Sequence, residues 1–247
     1  TVGPAIAVDE RSVTGPDGGS VTLLRFHAGL VRYDLHVGSQ DPPTGPVPVP
    51  PDAGPSIGPD EAPALLAAFN GGFKTSTGAG GFELDGQVLR PLVAGLASLV
   101  VDADGTAHVG VWGVDRPAPG EAVASVRQNL VPLVRGGAPS PTVSEPGAWG
   151  ATLGGGASVA RSALGEDAAG NLVYAAGMSL VPVDLADGLV AAGTVTGMEL
   201  DINPEWVQAD AAPAPGQPLH AVVPGQARPA TQYEQGWTRD FVTVLAR

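Results

Sequence analysis

The chain has 247 residues, which is long enough to bury a substantial hydrophobic core. Its 12 basic and 25 acidic residues give a formal net charge of −13, which disfavours nucleic-acid binding because that function requires a basic face. The absence of cysteine excludes disulfides, zinc–thiolate sites and thiol nucleophiles, and no apolar run in the sequence is long enough to span a membrane.

Short apolar runs separated by glycine and proline characterise the N-terminal part of the chain. The 36 glycines and 25 prolines punctuate such runs throughout, a pattern typical of a strand-rich and turn-rich globular domain. Residues 21–26 and 31–37 are predicted to be strands paired in a hairpin, because residues 31–37 alternate between apolar and polar. Residues 41–59 are mostly proline, glycine and small residues, so we expect a semi-rigid surface loop there.

Residues 60–69 are predicted to form a short helix that leads into the core. Asp60 is a suitable N-terminal cap, and Pro63 falls in the first turn, where a missing N–H group has little effect. Leu65 and Leu66 would supply the apolar stripe of this helix.

Two hairpins are predicted next, at the turn pairs Asp85-Gly86 and Asp104-Gly105, since Asp-Gly favours the tight turns of two-residue hairpin loops. Their strands cover residues 81–84, 87–90, 97–102 and 106–112. Residues 122–134 are ambiguous, and one interpretation is a helix that ends in an extended segment.

The C-terminal half predicts one clear helix among further strands. The helix covers residues 183–192, with Leu185 and Leu189 on one face and Gly193 as its stop. The strands cover residues 158–163, 172–176, 195–201 and 240–246. The predicted fold class is therefore α+β, a single domain over residues 1–247 dominated by mixed or antiparallel β-sheet with a few short helices.

The run Asn70-Gly71-Gly72-Phe73 is the first candidate for a binding site. Paired glycines allow backbone N–H groups to approach an anion closely, and an asparagine side chain both donates and accepts hydrogen bonds. Lys74, the single lysine of the chain, follows directly and could meet a phosphate. The alternative is a structural turn, since glycines after a helix commonly mark its C-terminal cap.

Arg161 is the second candidate, because an arginine on a strand can bind a phosphate through two parallel hydrogen bonds. It opens the run Arg161-Ser162-Ala163-Leu164-Gly165, which precedes a polar turn. The alternative is a surface ion pair with one of the 25 acidic residues.

The third candidate is the end of the strand predicted at 195–201. Glu199, Asp201 and Asn203 are two residues apart, so they would form one polar row on a strand face while Leu200 and Ile202 enter the core. Three polar groups at a strand end suit general acid–base chemistry or a hard cation such as calcium. An exposed strand face is the alternative.

Taken in order, these segments resemble the phosphodiester glycosidase family, whose members include the lysosomal enzyme that uncovers mannose 6-phosphate. The resemblance extends from Phe69 to Asp201 and consists of Asn-Gly-Gly-Phe, then Arg-x-Ala-x-Gly with a polar turn, then a helix and a strand ending in Leu-Asp. It implies a divergent bacterial member that releases a sugar, commonly N-acetylglucosamine, from its anomeric phosphodiester. The positions that match the family's pocket are Asn70, Gly71, Gly72, Arg161 and Asp201.

The chain departs from the family at the strand end, where Asn-Leu-Asp-Gly-Gly-Gly-Ser is replaced by Glu-Leu-Asp-Ile-Asn-Pro-Glu at residues 199–205. A glycine-rich loop able to wrap a phosphate is thereby replaced by a stiffer and more acidic loop. An aromatic residue often follows Asn-Gly-Gly-Phe in the family, and here that residue is Lys74. The pocket is therefore expected to persist, with an altered ligand.

The leading hypothesis is a glycosidase that acts on a sugar-1-phosphodiester. Asp201 and Glu199 would share the general acid and base roles. Lys74, Arg161 and residues 70–72 would bind the phosphate. Further substrate contacts are assigned to Asn203, Trp206 and Arg239. The hypothesis requires no cofactor, and it leaves a divalent cation such as calcium open.

Two alternatives stay open. A non-catalytic module that binds a glycan or a protein is supported by Glu199 and Glu205, because carboxylates repel phosphodiesters. A glycosidase for neutral glycosides would use Glu199 and Asp201 as a carboxylate pair. The expected partner is a carbohydrate or sugar phosphate, and the expected location is extracellular or on the cell envelope, with a leader or anchor trimmed.

No metal site is predicted from the histidines. His27, His36, His108 and His220 show no metal-ligand spacing, so each is interpreted as a strand residue. The run Asp102-Ala103-Asp104-Gly105 resembles the start of a calcium loop but fits a hairpin turn better.

Overall fold

The computed structural model of the chain describes residues 8–15, 18–152 and 155–247, with side chains described from residue 14 onward. Within these ranges the regular secondary structure is mainly strand. The strands are β1 (Val8–Thr14), β2 (Ser20–Phe26), β3 (Val31–His36), β4 (Leu65–Asn70), β5 (Phe82–Leu84), β6 (Gln87–Arg90), β7 (Ala97–Asp102), β8 (Ala107–Val111), β9 (Val123–Gln128), β10 (Val134–Arg135), β11 (Ala138–Pro139), β12 (Val159–Asp167), β13 (Leu172–Leu180), β14 (Thr194–Glu199), β15 (Ala209–Ala211), β16 (His220–Ala221) and β17 (Phe241–Ala246). The α-helices are α1 (Pro182–Ala191) and α2 (Gln232–Gln235).

The strands form three antiparallel sheets. The first has the order β1-β2-β13-β12-β14-β10-β11, the second β16-β15-β4-β17-β3, and the third β6-β5-β9-β7-β8. Long registers such as those of β12 with β13 and of β17 with β3 run antiparallel throughout. The predicted α+β class, dominated by antiparallel sheet with short helices, is confirmed.

One large hydrophobic cluster joins the three sheets. It includes Phe26 from β2, Phe69 from β4 and Leu99 from β7. The ring of Phe69 lies 5.7 Å from that of Phe26 and 5.1 Å from that of Tyr174, measured between centroids. Because these rings fix the end of β4 in the core, the position of Asn70 is also fixed.

Helix α1 packs against the seven-stranded sheet. Its Leu185 and Leu189 join a second cluster with Val21 and Val173 from β2 and β13. Gly193 follows the helix with a φ of 84°, a left-handed conformation that ends helices and favours glycine. The predicted helix and its stop are therefore confirmed.

The predicted hairpin of residues 21–26 with 31–37 is wrong, because β2 pairs with β1 and β13 whereas β3 pairs with β17 in another sheet. Both predicted Asp-Gly hairpin turns are present. Asp85 and Gly86 have φ values of 45° and 72°, as the tight turn between β5 and β6 requires. The N–H of Gly105 donates to the carbonyl of Asp102 at 2.8 Å, which closes the turn between β7 and β8. The two Asp-Gly pairs therefore lie in hairpin turns, and the hairpin alone accounts for the run Asp102-Ala103-Asp104-Gly105 that resembles the start of a calcium loop.

The predicted helix at residues 60–69 is wrong. A single 3₁₀ turn, Ala62–Ala64, precedes β4, which is buried at every position and pairs with β15 and β17 on either side. A short continuous apolar run has no periodicity that separates a buried strand from a buried helix. Its position between two strands decides the conformation.

The helix interpretation of residues 122–134 is also wrong, because Val123–Gln128 forms β9 between β5 and β7. The stretch at 41–59 is a loop, as predicted, with one 3₁₀ turn at Pro51–Ala53. Among the described residues, each helix is too short or too polar to cross a membrane.

Candidate functional site

A cavity of about 780 Å³ lies where the segment after β4 meets the loop after β14. Much of its wall is apolar and includes Phe73, Leu130 and Ile202. Among the described residues that line it, the ionisable ones are Lys74 and Asp201. A concave, mostly apolar cavity of this size with a few convergent polar groups is typical of a small-molecule site.

Asp201 is held rigidly just beyond β14. Its backbone carbonyl accepts a hydrogen bond from the N–H of Ser162 at 2.9 Å, and its Oδ1 accepts from the N–H groups of Ile202 and Asn203 at 2.7 and 2.8 Å. Burial raises the pKa of Asp201 to about 7, although these N–H groups and Arg239 oppose the shift. A carboxyl with that pKa can exchange protons near neutral pH.

Arg239 is buried beside Asp201. Its Nη2 donates to the carbonyl of Gly72 at 2.9 Å and lies 3.8 Å from Oδ2 of Asp201. The Cζ atom is 4.3 Å from the centroid of the Trp206 ring. Within the described part of the chain, Nε and Nη1 of Arg239 are buried without a hydrogen-bond partner. Arg239 is not among the residues that line the cavity, so its charge acts on the cavity from beside Asp201 and Trp206.

Trp206, Lys74 and Asn203 line the same cavity as Asp201. The Nζ of Lys74 is 5.0 Å from the centroid of the Trp206 ring. The backbone carbonyl of Asn203 accepts a hydrogen bond from the N–H of Trp206, and its Oδ1 accepts one from the N–H of Glu205. Both hydrogen bonds lie within a tight turn. Four of the predicted site residues are therefore brought together, with Arg239 directly behind them.

Asn70 does not line the cavity. Its Oδ1 accepts from the hydroxyl of Tyr174 at 2.8 Å and from the N–H of Gln208 at 3.2 Å. Its Nδ2 donates to Oγ of Ser162 at 2.9 Å and to the carbonyl of Gly71 at 2.8 Å. Two donors and two acceptor positions are the full capacity of an amide. The contacts give Asn70 a structural role that joins β4 to the first sheet.

The N–H groups of the two glycines are likewise paired inside the protein. Gly71 donates to the carbonyl of Asp240 at 2.9 Å, and Gly72 donates to Oδ2 of Asp240 at 3.2 Å. A Cβ atom on Gly71 would lie 1.9 Å from that Oδ2. The glycines permit close approach of backbone to an anion, as predicted, but the anion is the carboxylate of Asp240.

Arg161 and Glu199 form an ion pair beneath the site. Nη1 of Arg161 is 2.7 Å from Oε1 of Glu199, and both side chains are 0% exposed. Arg161 also donates to the carbonyls of Leu180 and Trp149, each at 3.1 Å. Burial raises the pKa of Glu199, and the charge of Arg161 opposes that shift. Neither residue is among those that line the cavity.

The predicted polar row is therefore divided. Asp201 and Asn203 line the cavity, whereas Glu199 is the last residue of β14 and faces Arg161. Leu200 is buried as predicted, but Ile202 lines the cavity instead of entering the core. Strand alternation does not extend past Glu199, because the chain turns at the end of β14.

Arg127 and Asn129, which were not predicted from the sequence, connect the segments around the site. Nε of Arg127 donates to Oδ2 of Asp240 at 2.7 Å, and its Nη2 donates to the carbonyl of Phe73. Asn129 donates to the carbonyl of Glu199 at 2.8 Å and accepts the N–H of Phe73 at 3.1 Å. The available signal was the run of Arg, Gln and Asn at the end of β9, since buried polar runs require partners.

The fold and the cavity together describe a sheet-rich protein with a cavity of a size that suits a small molecule. An indole ring offers a flat surface for a ligand, two cationic side chains adjoin that ring, and one buried carboxyl titrates near neutral pH. Such a site can hold a polar ligand that carries negative charge and can transfer a proton to or from it.

Comparison with known proteins supports the fold. No protein-family model matches the sequence, and no curated protein matches it significantly. Among solved structures, the fold is similar to the catalytic domain of zebrafish N-acetylglucosamine-1-phosphodiester alpha-N-acetylglucosaminidase, auto-inhibited by its pro-peptide. That similarity has a TM-score of 0.58 at 16% identity and covers 97% of this chain and 82% of that one.

Two further structures are similar to this chain. A hypothetical protein from Synechocystis has a TM-score of 0.56 at 13% identity, over 97% of this chain and 62% of that one. A putative exported protein from Burkholderia pseudomallei has a TM-score of 0.47 at 14% identity, over 94% of this chain and 75% of that one. The first two similarities show that this chain shares its fold with those two structures.

Proposed function

We propose that the chain hydrolyses the bond between a sugar and its anomeric phosphodiester. The observation that carries the proposal is the carboxyl of Asp201, which lines the cavity with a pKa of about 7 beside the guanidinium of Arg239. The similarity of the fold to that of a sugar-phosphodiester glycosidase supports the substrate class.

In this proposal the phosphate is bound by Lys74, and Arg239, buried behind the cavity wall, adds positive charge. Lys74 lines the cavity, and Arg239 has buried Nε and Nη1 groups without partners in the described structure. A chain with a net charge of −13 repels anions at long range, so local cations must supply the attraction. The sugar ring would stack on Trp206, whose flat apolar face suits the C–H groups of a pyranose.

Asp201 would act as a general base toward water. Its ionised carboxylate removes a proton from a water molecule as the water oxygen bonds to the anomeric carbon of the sugar. The bond between that carbon and the phosphate oxygen breaks, and its electron pair leaves with the phosphate. A phosphate leaves as a stabilised anion and depends less on an acid than an alkoxide does, so one carboxyl in the cavity is sufficient.

This argument weakens the neutral-glycoside alternative. Hydrolysis of a neutral glycoside commonly requires a second carboxyl across the scissile bond, at about 5–10 Å from the first. Glu199 was the candidate for that role, but it is fully buried against Arg161 and does not line the cavity.

The test is to incubate the protein with a synthetic aryl phosphodiester of N-acetylglucosamine and to measure the release of free sugar. Asp201→Asn keeps the size of the side chain and removes the base, so we expect kcat to fall about 10²–10⁴-fold. The matched control is Glu205→Gln, because Glu205 belongs to the same loop, is exposed and pairs with Arg228 outside the cavity. It should retain the activity of the wild type.

Turnover by Asp201→Asn at the wild-type rate would remove Asp201 from the mechanism. Binding of the free sugar or of the phosphodiester without turnover by the wild type would instead favour the non-catalytic binding module. Circular dichroism and thermal unfolding of each variant separate a lost base from a lost fold.

A further inference from the structure

A second cluster of ligating groups lies in the third sheet. Asp102 ends β7, His108 is in β8, and Glu121 precedes β9. One atom from each of these side chains lies within 4.8 Å of the other two. None of the three lines the cavity that contains Asp201.

His108 is held by a carboxylate that is not part of the cluster. Its Nδ1 is 2.8 Å from Oε1 of Glu166, whose other oxygen accepts the N–H of Val109 at 2.7 Å. If Nδ1 carries the proton that Glu166 accepts, Nε2 is the ring nitrogen that would be available to a metal. Histidines that bind metals are commonly held in this way by a hydrogen-bonded carboxylate, which fixes both the tautomer and the ring orientation.

Asp102 provides the second, independent indication of a ligand. Its Oδ1 is shielded from solvent and has no hydrogen-bond partner among the described residues. Burial and the neighbouring Glu121 raise the pKa of Asp102. A buried, unpartnered carboxylate oxygen is unfavourable unless a cation satisfies it.

Glu121, the third residue of the cluster, is held by contacts to both of its carboxylate oxygens. Its Oε1 pairs with Arg116 and its Oε2 accepts the N–H of Ala118 at 2.6 Å. Arg116 also lies 3.6 Å from Glu166.

We propose that Asp102, His108 and Glu121 bind a divalent transition-metal ion of the zinc type. An imidazole with two carboxylates favours zinc, cobalt or nickel over calcium and magnesium, which prefer oxygen ligands alone. Three protein ligands leave a fourth position for water. The ion would join the loop between β8 and β9 to the β7–β8 hairpin, outside the cavity that contains Asp201.

The direct experiment is titration of the metal-free protein with ZnCl₂ by calorimetry, after treatment with a chelator. We expect one zinc ion per chain, and at least 100-fold weaker binding of CaCl₂ and MgCl₂. His108→Ala and Asp102→Asn should each abolish the site. His27→Ala is the matched control, since it removes a histidine elsewhere in the chain and should leave the affinity unchanged.

Glu166→Gln tests the orientation of His108 and should weaken zinc binding about 10–100-fold. Cobalt provides a readout that needs no variant, because a Co²⁺ ion bound by one nitrogen and oxygen ligands gives visible d–d absorption. Wild-type protein that binds no zinc, or zinc binding that His108→Ala and Asp102→Asn leave unchanged, would overturn the proposal.

Discussion

The guanidinium of Arg239 stacks on the ring of Trp206, with Cζ 4.3 Å from the ring centroid. The same guanidinium donates to the carbonyl of Gly72 and lies 3.8 Å from Asp201. Arg239 therefore connects the segment after β4 with the loop after β14. It fixes the orientation of the indole and, through its charge, favours the ionised form of Asp201.

The pH dependence of the proposed reaction follows from Asp201. Its pKa is about 7, so the proportion of Asp201 in the ionised base form decreases as the pH is lowered below 7. We expect kcat/KM to decrease about tenfold per pH unit on the acid side, with an inflection near pH 7. Arg239→Gln removes a charge that stabilises the carboxylate, so the inflection should move to higher pH.

The measurement is a kcat/KM profile for wild type and for Arg239→Gln between pH 5 and pH 9. Arg228→Gln is the control, because Arg228 has the same charge but lies outside the cavity and pairs with Glu205. An inflection at the same pH in all three proteins would contradict the link between Arg239 and Asp201.

The packing of Gly71 allows a second prediction. Gly71→Ala would place Cβ 1.9 Å from Oδ2 of Asp240, which Arg127 holds in a buried ion pair. Since neither partner can move easily, we expect a loss of at least about 2–3 kcal/mol in the free energy of unfolding. Urea unfolding measures this difference.

Gly147→Ala is the matched control for Gly71→Ala. Gly147 lies in the 3₁₀ turn Pro146–Trp149, and an added Cβ there meets no described atom within 4 Å. Its free energy of unfolding should stay within about 0.5 kcal/mol of the wild type. Equal effects of the two substitutions would show that the contact with Asp240 is not tight.

Local sequence signals predicted the hairpins because they depend on adjacent residues. The Asp85-Gly86 and Asp104-Gly105 pairs determine turns by their own backbone preferences, and Gly193 ends α1 for the same reason. The strand β4 was missed because its conformation depends on β15 and β17, which are distant in the sequence.

The candidate site was predicted only in part, because some of its contacts depend on residues that are distant in the sequence. Asp201 and Trp206 lie on one loop, so their proximity follows from the sequence. The distinction between Asp201 and Glu199 does not, because it depends on where the chain turns after β14 and on Arg161 from β12. The cluster of Asp102, His108 and Glu121 was missed since its spacing matches no metal motif and only the sheet brings it together.

The ion pair of Arg161 and Glu199 leads to a third prediction, which concerns stability. Both side chains are fully buried, so removal of Glu199 leaves the charge of Arg161 uncompensated, and removal of Arg161 leaves a buried carboxyl without its partner. We expect Arg161→Met or Glu199→Leu alone to lower the free energy of unfolding by about 3–5 kcal/mol. The double variant should lose less than the sum of the two, because no isolated charge remains.

A double-mutant cycle with urea unfolding measures this coupling between Arg161 and Glu199. Additive effects would contradict the coupling. Glu199→Gln, which keeps the shape of the side chain, also tests the predicted catalytic role. If Glu199 acts only through packing, the folded fraction of that variant retains kcat, whereas a catalytic Glu199 would lose at least about 10²-fold.

Lys74 distinguishes an anionic substrate from a neutral one. It lines the cavity, it is exposed, and its ammonium lies 5.0 Å from the Trp206 ring centroid. Lys74→Gln should raise KM for the phosphodiester about fivefold, since one partly solvated charge contact is lost. Binding of the free sugar should stay unchanged, whereas Trp206→Ala should weaken the sugar and the phosphodiester alike.

Salt provides an independent check on the role of Lys74, because screening weakens the attraction between exposed charges. Between 50 mM and 500 mM NaCl, KM of the wild type should rise, and KM of Lys74→Gln should rise less. Arg228→Gln carries the same change in net charge outside the cavity and should keep the wild-type salt dependence. An identical response of all three proteins would mean that Lys74 does not contact the phosphate and that Arg239 alone supplies the positive charge.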